Sequence, residues 1–115
     1  MFKKLSLELG GKNANIVFED CEFDEAVKTS VRAAFANQGQ ICLCSSRIYV
    51  QRSIYDKFKE AFVARVKGLT VGDPLEESTR TGAVVSKAHF EKVLSHIAVA
   101  EEEGGKLLPV ETRSN

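Results

Sequence analysis

The stretch Val31-Arg32-Ala33-Ala34-Phe35-Ala36-Asn37-Gln38-Gly39-Gln40-Ile41-Cys42-Leu43-Cys44-Ser45-Ser46-Arg47-Ile48-Tyr49-Val50 carries a helix, a break and a strand in succession. Val27, Val31, Ala34 and Phe35 fall at i, i+4, i+7 and i+8, so one apolar stripe of a helix faces a core. Asp24 and Glu25 favour its N-terminal end through the helix dipole. Asn37-Gln38-Gly39 interrupts the pattern, and Arg47 to Val50 reads as a strand. Between them lies a loop of small residues around Cys42. A loop that leaves a helix and enters a strand can expose a side chain at the edge of a sheet.

Upstream, Leu5, Leu7 and Leu9 alternate with Ser6 and Glu8, a period of two that predicts a short strand ending at Gly10-Gly11. Ile16-Val17-Phe18 predicts a second, buried strand. Downstream, Ser53 is a candidate cap with Asp56 three residues on, for a helix whose stripe is Tyr55, Phe58, Phe62 and Val66. That helix should stop near Gly68. Gly72-Asp73-Pro74 marks a turn, and Ala83-Val84-Val85 a short strand. Ser86 is expected to cap a third helix with Phe90, Val93, Leu94 and Ile97 on its inner face, ended by Gly104-Gly105. Lys106-Leu107-Leu108 could begin one more strand. The alternation predicts an α/β fold, a mostly parallel sheet with flanking helices. Pro109 to Asn115 are polar and unpatterned and read as a loose tail.

The chain has 115 residues with sixteen basic and sixteen acidic side chains. Balanced charge without a basic cluster argues against nucleic acid as a partner. The N-terminus lacks the apolar core of a secretory signal, and no apolar run approaches a membrane span. Cys21, Cys42 and Cys44 are odd in number, which argues against a disulfide framework and for a reducing, cytoplasmic or organellar-matrix setting.

Cys42 admits two readings. The thiolate is the reactive form, so catalysis needs a lowered pKa or a base. No Lys, Arg or His lies within five residues before or four after Cys42, so activation would come from the fold or a cofactor. Free cysteines are usually buried and inert, so composition alone favours packing for Cys42 and Cys44. A metal site is not expected, because Cys42 and Cys44 have no second ligand pair nearby. His89 and His96 lie seven residues apart, roughly 10 Å along a helix, too far to share a metal. A Cys–His hydrolase built from either histidine stays open without local support. Glu8 is a carboxylate within an apolar alternation, directly before two glycines. If buried, its pKa would rise, as a general base near neutral pH requires. If the strand face is solvated, it is a surface group.

Leu7-Glu8-Leu9-Gly10-Gly11-Lys12 resembles the glutamate signature of the aldehyde dehydrogenase superfamily, and Phe35 to Arg47 resembles its cysteine signature. Their separation, 34 positions from Glu8 to Cys42, is also that of the family. The resemblance runs from Lys3 to Leu108. It implies that Cys42 attacks the aldehyde carbon to form a thiohemiacetal, that hydride passes to NAD or NADP, and that Glu8 deprotonates the water that hydrolyses the thioester. It further implies that the Cys42 backbone N–H helps hold the oxyanion, that Leu9 and Gly10 lie near the nicotinamide, and that Ile41 and Leu43 shape the substrate tunnel. Cys44 matches no catalytic position. Within the superfamily the segment is most similar to the muconic-semialdehyde dehydrogenases, with Ala14 where those carry proline. Members have several hundred residues and form dimers and tetramers. The resemblance therefore implies a partial catalytic domain over residues 1–108, a divergent tail over 109–115, and a Rossmann-like cofactor domain absent from the chain. No Gly-x-Gly phosphate loop occurs. The chain alone is expected to be inactive. The alternative is a non-catalytic short form that associates with full-length subunits.

Overall fold

The computed structural model describes residues 2–108. They divide into two compact units, parted between Phe62 and Val63.

The first unit is a β–α–β crossover. Strand β1 (Ala14–Val17) leads into helix α1 (Phe23–Phe35), and strand β2 (Arg47–Val50) returns parallel to β1 with Ala14 opposite Arg47 and Val17 opposite Val50. Parallel strands need such a crossover, and a helix is its usual form. Val27 and Val31 of the expected stripe are buried, and Phe35 at its end is 40% exposed. The core joins Val17 of β1, Val27 of α1 and Phe58 of helix α2 (Tyr55–Lys67). Phe23 meets Phe58 edge-on at 6.3 Å, and Phe62 stacks on Phe58 at 5.9 Å, geometries that aromatic quadrupoles favour.

Several expectations are corrected here. Residues 2–9 form no strand, and Leu5, Leu7 and Leu9 stay exposed. A strand needs a hydrogen-bonded neighbour, and the described sheet has two strands only. The second strand is Ala14–Val17 and is covered on one face: Val17 is buried, while Ile16 and Phe18 are each 61% exposed. Ser53 does not cap α2. It lies in a 3-10 turn (Arg52–Ile54), and its hydroxyl donates to the Glu19 carboxylate at 2.5 Å. Asp56 instead pairs with Lys59 inside the first turn of α2.

In the second unit, α2 stops at Lys67, with the Gly68 N–H returning to the Arg65 carbonyl, as expected. Thr70 closes the following loop: its hydroxyl donates to the Ser78 carbonyl at 2.6 Å, and its carbonyl accepts from Thr81 at 3.0 Å. Asp73 accepts from the Leu75 N–H, which makes the turn at Gly72-Asp73-Pro74. Ala83 to Val85 form no strand, and the unit's one described bridge joins Val71 and Thr81. Helix α3 (Lys87–Glu102) is capped by Ser86, whose hydroxyl accepts from the His89 N–H at 3.2 Å, and ends at Gly104 with φ of 91°. Its apolar stripe is not an inner face: Phe90, Val93, Leu94 and Ile97 are 40–51% exposed. Lys106 to Leu108 are not strand, and the expected tail at Pro109 to Asn115 lies outside the described residues. No described helix is long and apolar enough to cross a membrane.

Candidate active site

Parallel pairing decides where the two candidate segments enter the sheet. Residues entering β1 and residues entering β2 arrive at the same edge of the sheet. The Ala14–Arg47 register puts Asn13 beside Ser46 there. The glutamate-bearing segment ends at Asn13, and the cysteine loop ends at Ser46. The fold therefore brings the two segments to one edge.

The cysteine loop is built by a left-handed turn. After α1, a 3-10 turn (Ala36–Gly39) places Asn37 at φ 50° and Gln38 at φ 57°, followed by Gly39 at φ 76°. Left-handed backbone costs roughly 1–2 kcal/mol per ordinary residue, and asparagine and glycine bear it best. Part of that cost is offset locally: the Gln40 N–H donates to the Asn37 carbonyl at 3.0 Å, and the Asn37 amide donates to the Gln40 carbonyl at 3.3 Å. A second turn follows, with the Cys44 N–H on the Ile41 carbonyl at 2.9 Å. The Ser45 N–H then reaches the Ala33 carbonyl at 3.0 Å and ties the loop to α1.

Cys42 sits inside that second turn and is half-buried, whereas Cys44 is buried with its thiol 3.9 Å from the Ala36 carbonyl. The two cysteines are thus distinguished. Cys44 is the packed residue, as expected, and Cys42 is the one that solvent or a ligand can reach. Cys21 is half-buried against the Val17–Val27–Phe58 core. Of the flanking residues, Leu43 is 80% exposed and Ile41 is partly exposed.

Glu8, Leu9 and Gly10 lie on the exposed segment before β1, which is neither helix nor strand. The burial expected of Glu8 as a general base is not met in this chain. A Cβ added at Gly10 would meet nothing nearer than Glu8 Oε1 at 4.0 Å, so the glycine is not part of a tight cradle. A dinucleotide site needs backbone N–H groups converging on phosphates, commonly at a helix N-terminus. Leu9 and Gly10 do not supply one, and these residues alone do not fit such a cofactor. Among the described residues, no three His, Cys, Asp or Glu side chains are grouped to hold a metal ion. His89 and His96 lie on α3, in the other unit. An open groove along β1 and the first turns of α1, lined by Ile16, Asp20, Cys21 and Thr29, includes neither Cys42 nor Glu8.

Sequence reasoning missed Asn13 and Arg47. The Asn13 side-chain amide donates to the Cys42 carbonyl at 2.6 Å and to the Cys44 carbonyl at 3.3 Å. The Arg47 guanidinium donates to the Lys12 carbonyl, and the Arg47 N–H donates to the Asn13 carbonyl at 3.1 Å. All these acceptors are backbone carbonyls, which every residue carries, so no pattern of side chains announces them.

Comparison with known proteins matches residues 1–114 to the sequence model described as the aldehyde dehydrogenase family. The mouse (Mus musculus) 2-aminomuconic semialdehyde dehydrogenase is 54% identical over 106 residues, 92% of this chain and 22% of that protein. The zebrafish (Danio rerio) 4-trimethylaminobutyraldehyde dehydrogenase A is 51% identical, over 92% of this chain and 21% of that protein. The crystal structure of Staphylococcus aureus betaine aldehyde dehydrogenase in complex with NAD+ superimposes with a TM-score of 0.81 at 43% identity, covering 84% of this chain and 19% of that one. The chain thus spans about a fifth of the length of each.

Proposed function

Because the chain belongs to the aldehyde dehydrogenase family, we propose that it carries the thiol and the carboxylate that oxidise an aldehyde to a carboxylic acid within a longer enzyme. The observation that supports this most is the shared edge. The parallel register leads the Glu8 segment and the Cys42 loop to one end of the β1–β2 pair, with a reachable thiol in the loop.

The Cys42 thiolate adds to the carbonyl carbon. A C–S bond forms, and the carbonyl π pair moves to oxygen, to which the Cys42 backbone N–H would donate. Loss of hydride from that carbon leaves a thioester. A nicotinamide cofactor, NAD or NADP, would supply the hydride acceptor in the longer enzyme; Leu9 and Gly10 would lie near it but would need further residues to hold it. The Glu8 carboxylate then takes a proton from water, whose oxygen adds to the thioester carbon, and the C–S bond breaks to return the thiolate. Glu8 is exposed here, so the remainder of the enzyme must cover it for this role. Ile41 and Leu43 line the approach of the substrate. We assign the substrate to the muconic semialdehydes, on the motif likeness and on the mouse relative at 54% identity.

The test uses a full-length relative carrying this segment. Cys42→Ser should lower aldehyde oxidation by about a thousandfold or more, the scale seen when a nucleophile is removed. Glu8→Gln should leave the first turnover intact and let an acyl adduct on Cys42 accumulate, read by intact mass. The same assay should give 2-aminomuconic semialdehyde at least ~10-fold higher kcat/KM than 4-trimethylaminobutyraldehyde, a difference of about 1.4 kcal/mol in transition-state binding. Alkylation of Cys21 or Cys44 well ahead of Cys42 would overturn the assignment.

A second reading concerns the 115 residues by themselves. Ile16 on β1, Phe18 just beyond it, and Phe90 and Leu94 on α3 are apolar and exposed. They support association with other polypeptide, such as full-length subunits, in place of turnover.

A further inference from the structure

We propose that Asn13 is a positioning residue that registers the glutamate-bearing segment against the cysteine loop and fixes the orientation of Cys42. The inference rests on the catalytic reading of Cys42 above. One side-chain amide spans two carbonyls of the loop, those of Cys42 at 2.6 Å and Cys44 at 3.3 Å, and both contacts are partly buried. Its neighbour Lys12 is held through its own carbonyl by the Arg47 guanidinium, and the Asn13 carbonyl by the Arg47 N–H. Lys12 and Asn13 are therefore tied to the loop at two places: to its middle by a side chain and to its exit at the start of β2.

Other anchors leave the Cys42 carbonyl free. Among the described contacts, the other backbone carbonyls engaged in the loop are those of Ala33, Ala36, Asn37, Gln40, Ile41 and Cys44. The Asn13 bond is the described contact that acts on the peptide of Cys42 itself. Holding that carbonyl sets the backbone torsion of Cys42 and with it the direction of the Cα–Cβ bond. A nucleophile must approach the carbonyl carbon within a narrow cone, so a small error there is costly. Because Asn13 is five residues from Glu8, the same contact anchors the base of the carboxylate's segment beside the thiol.

The donor is what matters here. Asn13→Asp keeps the shape and replaces two N–H donors by acceptors facing two carbonyls. Asn13→Ala removes the group. In the full-length enzyme carrying this segment, both should lower kcat about tenfold or more with KM changed less than twofold. Both should slow iodoacetamide alkylation of Cys42 relative to that of Cys21 in the same sample. Asn13→Gln, which retains the amide, should recover part of the Cys42 rate. Circular dichroism and the Cys21 rate report whether the fold survives. If Asn13→Asp leaves both kcat and the Cys42-to-Cys21 ratio unchanged, the proposal fails. It also fails if Cys21 and Cys42 rates change in parallel, the mark of general loosening. The catalytic reading is tested apart by Cys42→Ser. Were that variant active while Asn13→Asp still altered the Cys42 ratio, the nucleophile assignment would fall and the positioning contact would stand.

Discussion

At the residue scale the cysteine loop depends on backbone conformations that few side chains accept. Gly39 has φ of 76°, and a Cβ there would lie 3.3 Å from the Ala34 carbonyl oxygen. Gly39→Ala should destabilise the first unit by about 1–2 kcal/mol, from the left-handed penalty and the tight contact together. A urea midpoint shifted down at constant slope would show it, and an unchanged midpoint would mean that the turn relaxes at no cost. The break at Asn37-Gln38-Gly39 is legible in the sequence because glycine and asparagine mark such turns. So are Cys42 as the loop's central thiol and Cys44 as its packed neighbour. The contacts of Asn13 and Arg47 are not legible. They depend on which backbone carbonyls a parallel register brings near, and that register is a property of two strands far apart in sequence.

At the element scale, α1, α2, α3 and β2 form where periodicity and punctuation predict them, because each carries a local signal of adequate length. Strands that need a partner fared differently. Leu5 to Leu9 alternate properly, yet they form no strand and stay exposed, since alternation describes a surface and does not supply a neighbour. Ser53 fits a capping pattern but hydrogen-bonds Glu19 instead, a long-range partner that outweighs a local motif. Ser86 is the contrasting case. Helix α3 has no buried residue, so tertiary packing contributes little and its end effects weigh more. Ser86→Ala should cost about 1 kcal/mol of helix stability. That should raise hydrogen exchange at Phe90 and Glu91 about fivefold, with exchange at Val27 and Val31 unchanged. Equal acceleration at both places would show that the cap serves the whole fold.

At the scale of the whole molecule, the exposed apolar groups are the dominant physical fact. The β1–β2 pair has an open edge on each side, and Ile16, Phe18 and Tyr49 are all more than half exposed beside it. Open edges with apolar flanks invite pairing with another chain. The purified 115-residue chain should therefore sediment with an apparent mass that rises with concentration. Ile16→Lys combined with Phe18→Lys should move it toward the monomer. A monomer at all concentrations would count against both this and the association reading. The matched part is about a fifth of the relatives' length, so surface exposed here is surface that their remaining residues are available to cover.

The pairing of Ala14 with Arg47 also orders events in time. Closing that loop must be paid in chain entropy before the ladder returns anything, whereas α1 can form locally within about a microsecond. On a ribosome the ladder cannot close until Val50 has left the exit tunnel. Until then the loop has its own turns but lacks the Asn13 contacts to the Cys42 and Cys44 carbonyls. Those contacts wait on the zipping of the sheet, so a pulse of thiol reagent during synthesis would date it.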